Sequence, residues 1–559
     1  MESKSALKWI IRHTKKHTAA IVTIAVATAL NAAIYVCLAL ITKNIVNAIF
    51  LEDAAMNDIK NAIFINCIYI VLFILAQTLL TALVNVLKTH VSGKMDMELK
   101  SILFDKYINK QYRLIQKIHS GETINRFTSD IEIVINSVIG IVPESISIIT
   151  KIIAGLAVLI YINKYFALAI TAVGILAAIG GRIIGPVYKR LHKKMQQTAG
   201  VVRSFLQECI ENIIVIKTFS TKLPVHKKLK LFMQENYKMK IKRNNLSVLI
   251  NAGVLLIFNC GYYAAFACGA VAVAVKIMTY GDLIAIMQIV SQIRAPFYNM
   301  SGIIPQFYSA LASAERLMEL QDLDEDVIDP NFDRDSVYEK LDCITAKNIS
   351  FGYGKDKIIK NSDVCIKKGS VVSIVGASGT GKSTFFRLLL GLYCVDSGSL
   401  TLKCSNGDID ISATTRKLFS YVPQGNLILS GTIRDNIAFA NPDVDDEVIV
   451  NAAKAADIYD FINSLEYGFE TVLGERGIGL SEGQIQRLAI ARAIVCNAPI
   501  LLLDECTSAL DEQTERRLLQ NIKNLKTKTV IFISHRRAAL EICDSIITLE
   551  NAVFTQSDN

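Results

Sequence analysis

The sequence predicts an α-helical transmembrane bundle of six spans followed by an α/β domain, and three observations lead to that prediction. The chain has 559 residues, which is too long for a single domain. Its mean hydropathy is +0.37 and 52% of its residues are hydrophobic, with the excess concentrated in the first half. From about residue 341 onward, short strand-like runs alternate with helical ones. We therefore expect a membrane domain over residues 1–325, a linker over 326–340 and an α/β domain over 341–559.

Six apolar runs in the first half are long enough to cross a bilayer, because about 20 helical residues span the ~30 Å hydrocarbon layer. They lie at residues 18–41, 62–87, 134–162, 166–184, 248–275 and 283–304. The polar stretches 88–131 and 188–243 are rich in Lys and Arg, which places them and both termini in the cytoplasm. Within these stretches, segments 120–130 and 208–213 have helical patterns and are predicted to dock on the second domain. Ordinary solvated helices remain the alternative.

Polar side chains inside the spans need a physical reason, since charge facing lipid is costly. Glu144, Lys151 and Arg294 should each face a cavity, a partner charge or an interface. The Asn and Gln residues of the spans fit either a wet translocation path or hydrogen bonds between helices.

Composition limits the classes of partner and compartment. The net charge of +9 could indicate nucleic-acid binding, but Lys and Arg cluster beside the apolar runs, so we expect membrane lipids and no nucleic acid as partners. The 12 cysteines have no paired spacing, which favours buried thiols in a reducing compartment over disulfides or a zinc site. High Lys, Ile and Asn usage with no organelle signal favours a bacterial cytoplasmic membrane.

A phosphate-loop pattern stands between a strand-like run and a helix-like run in the second half. The loop consists of Gly376, Ala377, Ser378, Gly379, Thr380, Gly381, Lys382, Ser383 and Thr384. Its glycines let backbone N–H groups point inward, and the following helix N-terminus adds a favourable field for phosphates. We expect Lys382 to reach the β- and γ-phosphates of a nucleotide and Ser383 to offer its hydroxyl to Mg²⁺.

Four polar residues follow strand-like runs and suit phosphoryl transfer. Asp504 ends the aliphatic run 500–503, where α/β sheets bind ligands, and can hold Mg²⁺. Glu505 beside it can act as general base toward the attacking water. Gln424 and His535 suit polar contacts around the γ-phosphate, although either residue taken singly also fits a structural role.

The order of these motifs resembles that of the ATP-binding-cassette (ABC) ATPases, and six spans ahead of them resemble the half-size exporter architecture. The resemblance covers nearly the whole chain. It implies a site for ATP formed by Tyr353, residues 376–384, Gln424, Ser481, Gly483, Gln484 and Asp511. It further implies a Mg²⁺ site of Ser383, Gln424 and Asp504, with catalysis by Glu505, His535, Lys382 and Gln424.

Two further segments are interpreted through the same resemblance. The signature here is Leu480, Ser481, Glu482, Gly483, Gln484, with Glu482 where the family usually has Gly. Ser481 and Gly483 keep the family's positions toward the γ-phosphate, so we expect Glu482 to be tolerated. Glu475, Arg476 and Gly477 resemble the loop that contacts the membrane domain in exporters.

The resemblance implies ATP-driven export of a substrate across the membrane by alternating access, in a dimer. Each chain carries one phosphate loop and one signature, and the family sandwiches ATP between the loop of one copy and the signature of the other. Because every catalytic position is of a competent type, a homodimer is favoured over pairing with a related half-transporter. An ATP-gated channel or regulatory protein with the same parts is the alternative from another class. A soluble cassette protein is disfavoured by the spans, and the exported substrate is left open among amphipathic small molecules, lipids and peptides.

Overall fold

The computed structural model describes residues 2–50, 55–118, 120–354, 356–425, 428–474, 479–525 and 527–558. Within these ranges, the side chains of residues 2–4, 173, 176–182, 189, 294–302, 304, 305 and 558 are outside the description. The chain forms two compact units. One comprises Met1–Tyr107 with Ser120–Asp322, and the other comprises Ile108–His119 with Leu323–Asn559.

The first unit is helical. The helices up to residue 321 are α1 Glu2–Thr14, α2 Thr18–Ile49, α3 Met56–Ile108, α4 Tyr112–Ile115, α5 Ser120–Asn125, α6 Ile131–Ile162, α7 Lys164–Glu211, α8 Ile213–Thr218, α9 Lys222–Ala274 and α10 Tyr280–Gln321. Among the described residues, α2, α3, α6, α7, α9 and α10 are long, at 32 to 53 residues, and each contains one predicted span. The six apolar runs therefore form six long helices, as their length and patterning predict.

Four helical segments are long and apolar enough to cross a membrane, in a search restricted to the described residues: Ser5–Ile49, Met56–Ile108, Ser120–Ile162 and Lys222–Ala274. The other two predicted spans fall in α7 and α10. Each includes a stretch, 176–182 or 294–302, whose side chains are outside the described set.

Apolar side chains and small residues bring α2, α6 and α10 together. Gly155 on α6 allows the close approach, because a Cβ there would lie 3.1 Å from Ile293 and 3.2 Å from Ile289 on α10. Beside it, Leu159, Ile289 and Ile293 are buried in one cluster with Ala39 of α2. Helices α7 and α9 pack on each other, and they also contact α6 and α10. Only Asn163, the N-cap of α7, separates α6 from α7, so the link between these two helices is shorter than the predicted spans 134–162 and 166–184 indicate.

A buried ion pair joins the π-helical turn Arg126–Asp130 to α10. Asp130 is 1% exposed and accepts hydrogen bonds from Ser313 Oγ at 2.8 Å and from Arg316 Nε at 2.8 Å. Arg126, also buried, donates to the Arg316 carbonyl and to Glu122 and Glu319. The hydrogen bond to Asp130 is the main cause that raises the pKa of Arg316, and burial opposes it. These contacts fix residues 120–130 within the helical unit.

The second unit is an α/β domain. Its helices after residue 321 are α11 Arg334–Glu339, α12 Lys382–Leu389, α13 Ile433–Ile437, α14 Asp446–Ala455, α15 Tyr459–Ser464, α16 Glu482–Val495, α17 Glu512–Lys523 and α18 Arg537–Glu541. Its strands are β1 Leu341–Phe351, β2 Ile359–Lys367, β3 Val371–Val375, β4 Ser397–Cys404, β5 Gly407–Asp410, β6 Phe419–Val422, β7 Gly431–Thr432, β8 Val472–Leu473, β9 Ile500–Asp504, β10 Thr529–Ile533, β11 Ser545–Glu550 and β12 Val553–Asp558.

The central sheet has the strand order β12-β11-β3-β10-β9-β6 and is parallel except for β12. Strands β3, β9 and β10 are almost entirely buried, as expected for a parallel sheet covered on both faces. A second, antiparallel sheet has the order β2-β1-β4-β5. Because β3, β6, β9 and β10 run in the same direction, the residues that follow them meet at one edge.

The second unit also contains residues 108–119 from the first predicted cytoplasmic stretch. Lys110 is 4% exposed and donates to the Leu323 carbonyl at 2.7 Å and to Glu325 at 2.9 Å. The sequence pointed to segments 120–130 and 208–213 for docking. The structure groups 108–119 with the α/β domain, while 120–130 and 208–213 belong to the helical unit, so their docking stays a prediction.

From the burial of the Asp130–Arg316 pair we expect its two single variants to lower the stability of the protein by unequal amounts. Arg316→Ala should destabilise the protein by about 3–5 kcal/mol, because it leaves the buried Asp130 carboxylate without its positively charged partner. Asp130→Ala should cost less, since Arg316 is 43% exposed and can reach water. The double variant should be no less stable than Arg316→Ala. Thermal unfolding of the purified chain measures the order, and equal losses from both single variants would contradict it.

Candidate nucleotide site

The phosphate loop connects the buried strand β3 to helix α12. Gly381 has φ +114°, and a Cβ at this position would lie 2.3 Å from Ile358 Cγ2, so only glycine fits. Lys382 is 5% exposed and donates to the carbonyls of Gly376 at 2.7 Å and Ala377 at 2.9 Å. Burial lowers the pKa of Lys382, and the carboxylates of Glu505 and Asp504 oppose that shift. The loop thus holds a cation among backbone groups at a helix N-terminus, as phosphate binding requires.

Ser383 and Asp504 lie next to each other at the sheet edge. Ser383 Oγ donates to Asp504 Oδ1 at 3.1 Å, and Tyr421 donates its hydroxyl to Asp504 Oδ2 at 3.2 Å. Asp504 is 1% exposed, and this burial raises its pKa while the two hydrogen bonds oppose the shift. A hydroxyl beside a buried carboxylate is a donor set that suits Mg²⁺, and the buried carboxylate gains most from a bound cation. Tyr421 was given no role by the sequence.

Gln424 and Glu505 form a second pair at the same edge. Gln424 Nε2 donates to Glu505 Oε2 at 2.6 Å. Glu505 has φ +49°, a left-handed conformation that is uncommon for Glu and is held by its N–H bond to the Ile533 carbonyl at 3.0 Å. Gln424 therefore orients the carboxylate expected to act as base. The structure joins it to Glu505 and not to the Ser383–Asp504 pair that it was expected to complete as a metal ligand.

Tyr353, one of the residues expected to form the ATP site, lies in a cluster of aromatic rings. It is 48% exposed, and its hydroxyl contacts Thr384 Oγ1 at 3.3 Å and accepts from Arg387 at 3.0 Å. The Tyr393 ring packs edge-on against Tyr353, with centroids 5.2 Å apart. Tyr393 also contacts the Tyr112 ring at 6.0 Å and donates to Gln116 Oε1. The ring cluster therefore extends from the nucleotide side to the segment 108–119.

The signature forms the beginning of α16. Ser481 is the N-cap and exchanges hydrogen bonds with Gln484 in a capping box. Gly483 packs closely, because a Cβ there would lie 3.1 Å from both the Ala509 carbonyl and Leu510 Cδ2. Glu482 is the exposed first residue of α16, where the helix dipole favours a carboxylate, so its tolerance in place of Gly stays a prediction with a physical basis.

The loop 508–511 is braced by residues that the sequence did not single out. Gln486 donates to Ser508 Oγ at 3.0 Å and accepts from the Ala509 N–H at 3.2 Å. Arg536 donates to the Ser508 and Leu510 carbonyls and to the buried carboxylate of Glu515. The sequence could have pointed to Arg536 because it directly follows His535, which was expected to contact the γ-phosphate. Asp511 caps α17 by accepting from the Thr514 N–H at 3.0 Å.

His535 follows β10 by two residues and is exposed. It therefore lies at the strand-end edge where Asp504 ends β9 and Glu505 follows it. The loop Glu475, Arg476, Gly477, which the sequence assigned to contact with the membrane domain, lies outside the described residues. Among the described residues, no hydrogen bond joins the signature residues Ser481 or Gln484 to the phosphate loop.

These features define the class of protein. A long-helical unit with membrane-spanning composition is joined to an α/β domain whose phosphate loop, Ser383–Asp504 pair and Gln424–Glu505 pair meet at one sheet edge. This is a membrane-embedded P-loop nucleotide-binding protein.

Comparisons with known proteins identify the family. The chain matches the family model of the ABC transporter transmembrane region over residues 18–297 and the ABC transporter family model over residues 359–508. It is 30% identical over 466 residues to the ATP-dependent lipid A-core flippase of Pasteurella multocida, covering 82% of this chain and 80% of that relative. It is 29% identical over 504 residues to the alpha-hemolysin translocation ATP-binding protein HlyB of Escherichia coli O157:H7, covering 89% and 70%.

A solved structure agrees with this assignment. The structure of a bacterial Atm1-family ABC exporter with ATP bound aligns with a TM-score of 0.83 and 25% identity, over 97% of this chain and 95% of that one. The chain belongs to the ABC transporter family, as a half-size exporter with a helical membrane region and an ATPase domain. It is an integral membrane protein whose ATPase is coupled to transport.

The raised pKa of Asp504 makes a prediction about stability. A carboxyl group whose pKa is higher in the folded than in the unfolded chain weakens folding as pH rises through its unfolded value. At pH 7, Asp504→Asn should therefore raise the Tm of the nucleotide-free protein by roughly 2–4 °C, the shift that about 1 kcal/mol produces in a domain of this size. The same variant should lose Mg²⁺-dependent hydrolysis.

Asp511→Asn is the matched control for this experiment. Hydrogen bonds from Thr514 lower the pKa of Asp511, so removing its charge should lower the Tm slightly. Differential scanning calorimetry at pH 7 measures both variants. A lower Tm for Asp504→Asn would contradict the assignment of Asp504 as a destabilised buried carboxylate.

Proposed function

We propose that two copies of this chain form a homodimeric exporter that moves an amphipathic substrate across a bacterial cytoplasmic membrane by alternating access. In this proposal residues 1–325 form the transport domain, 326–340 the linker and 341–559 the ATPase domain, with both termini in the cytoplasm. The observation that carries it is the convergence of the Ser383–Asp504 and Gln424–Glu505 pairs at the edge beside the phosphate loop. Flippase and HlyB relatives support export, and their named cargoes support an amphipathic substrate.

The chemistry follows from the positions of the side chains. Mg²⁺ would be held by Ser383 and Asp504 and would supply neutralisation of phosphate charge. Lys382 would donate to the β- and γ-phosphates in place of the loop carbonyls. Glu505 would take a proton from the water that attacks the γ-phosphorus, while Gln424 holds the carboxylate in place. His535, at the end of β10, would add a polar contact to the γ-phosphate, and ADP leaves as the P–O bond breaks.

The signature explains the need for a second copy. Ser481 and Gln484 satisfy each other at the N-terminus of α16, and Gly483 packs on the loop 508–511. The site of one chain would thus be completed by Ser481, Gly483 and Gln484 of the other, against the nucleotide. Closure would exclude water from the γ-phosphate and complete the catalytic group.

The helical unit offers independent support for a dimer. Helices α7 to α9 carry exposed apolar residues in a region predicted to lie in the cytoplasm, where lipid does not cover them. Among these are Leu206, Ile210, Ile214, Phe219 and Leu223, which are 40–82% exposed. An exposed apolar surface outside the bilayer indicates an interaction site, and a second copy is the partner that the composite ATP site requires.

The ring cluster supplies a route for coupling. Tyr393 contacts Tyr353 on one side and Tyr112 and Gln116 on the other. A nucleotide stacked on Tyr353 would therefore bias the position of the segment 108–119, which is covalently continuous with α3. Differential affinity of ATP for two positions of this segment would drive the transition between them.

Glu505→Gln tests the catalytic assignment. The amide keeps an acceptor oxygen for Gln424 and tolerates the same backbone, but it cannot take a proton. ATP hydrolysis should fall by about 10²- to 10⁴-fold, while ATP binding is retained in a nucleotide titration. Hydrolysis at the wild-type rate would exclude Glu505 as the base.

Subunit mixing tests the composite site. Lys382→Ala chains and Ser481→Ala chains should each be inactive alone. A mixed dimer would contain one doubly defective site and one intact site, so co-expressed, tandem-purified hybrids should regain hydrolysis. If each chain formed a complete site by itself, no hybrid would be active.

Transport assays decide between pump and channel. The expected result is accumulation of a labelled amphiphile against its gradient in inside-out vesicles, dependent on ATP. Passive equilibration that ATP only permits would instead support the ATP-gated channel.

A further inference from the structure

A layer of three polar side chains lies within the apolar, membrane-spanning part of the helical unit. It consists of Tyr35 on α2, Lys151 on α6 and Gln292 on α10. At ~1.5 Å rise per residue, they lie about 9, 16 and 14 Å from the outward ends of their predicted spans at residues 41, 162 and 283. Those depths are all inside the ~30 Å hydrocarbon layer. Three helices therefore place polar groups inside this layer, where such groups are costly unless they have a function.

The layer is held together by contacts to Tyr35. Lys151 Nζ lies over the Tyr35 ring, 5.1 Å from its centroid. Gln292 Nε2 donates to the Tyr35 carbonyl at 2.9 Å, while Gln292 Oε1 is buried and has no hydrogen-bond partner among the described residues. The tyrosine itself is 39% exposed. These contacts orient the polar groups but leave part of their hydrogen-bonding capacity unused.

Lys151 lacks an acceptor among the residues that the structure describes. Within that part of the chain, no oxygen accepts a hydrogen bond from its ammonium group, and the charged group that acts on it is Glu144, two helical turns away on α6. The side chain is half-buried, so water satisfies it only in part. A cation–π contact compensates a buried ammonium incompletely, which leaves room for an anion.

The outward-facing side of this layer is closed by apolar packing. Gly155, one turn beyond Lys151, is in tight contact with Ile289 and Ile293. Leu159 and Ile289 are fully buried in the cluster that follows. A ligand of Lys151 would therefore approach from the cytoplasmic side or from the bilayer, as the substrate of an exporter does.

We propose that Lys151, with Tyr35 and Gln292, binds the anionic group of an amphiphilic substrate, so that the exporter's cargo class is anionic amphiphiles. The inference rests on the proposed export function and narrows its substrate. The Lys151 ammonium pairs with a phosphate, sulfate or carboxylate group of the substrate while it stays over the Tyr35 ring. The apolar helix faces contact the hydrocarbon part of the substrate.

The test measures binding of lysophosphatidic acid and monoacylglycerol with the same acyl chain to the full-length dimer in phosphatidylcholine nanodiscs. The wild type should bind lysophosphatidic acid at least tenfold more tightly. Lys151→Met should abolish this preference and leave monoacylglycerol affinity unchanged, which also shows that the helical unit is folded. Lys151→Arg should keep the preference. Equal affinities in the wild type, or a preference that survives Lys151→Met, would overturn the proposal.

Two control variants distinguish an anion site at Lys151 from a general charge effect and from an ion pair between subunits. Lys164 is exposed and also lies over an aromatic ring, Tyr165, at 5.5 Å, so Lys164→Met removes the same charge outside the layer and should leave the preference intact. If Lys151 instead pairs with Glu144 of a second copy, exchanging the two charges in a double variant would restore a dimer that each single variant weakens. That outcome would overturn the proposal.

Failure of the export function would be seen separately. Loss of the preference in Lys151→Met together with passive, ATP-gated flux would support the binding site and reject the pump. ATP-driven accumulation of a neutral amphiphile, with no effect of Lys151→Met on the binding preference, would support the pump and reject the anionic cargo.

Discussion

The hydrogen bond between Ser383 and Asp504 is the contact on which the ATPase domain depends. It ties the phosphate loop to the end of β9, and it exists because β3, β10 and β9 run parallel in adjacent register. The same constraint puts Glu505 beyond β9 and Gln424 beyond β6, where the two side chains meet. Parallel pairing therefore brings residues that are distant in the chain together at one edge of the sheet.

The site extends beyond this edge in two directions. On one side, the Tyr353 ring contacts Tyr393, which contacts the segment 108–119. On the other, Gly483 and Gln486 fix the signature helix to the loop 508–511, which Arg536 braces from the end of the strand that precedes His535. The nucleotide side of the domain is thus linked by packing to the segment 108–119, and the signature helix is linked to the loop 508–511.

The helical unit contains charges of two kinds. Asp130 is almost fully buried and has every partner it needs in Ser313 and Arg316, so its role is to hold helices together. Lys151 lies at mid-bilayer depth beside one aromatic ring and has no acceptor among the described residues. The difference in hydrogen bonding, and not charge alone, separates a structural ion pair from a group available to a ligand.

The sequence alone determined the six long helices, the strand–loop–helix at residues 376–384, and the strand-end positions of Asp504 and Glu505. These depend on local periodicity and on glycines in a fixed pattern, which neighbouring residues encode directly. It also marked Lys151 as a charge in need of a partner. Only the tertiary structure decided that Gln424 binds Glu505, that Tyr421 and Arg536 complete the site, that 108–119 belongs with the ATPase domain, and that Tyr35 receives Lys151. Those contacts join residues distant in the chain, and their geometry is set by packing of whole elements, which no local pattern encodes.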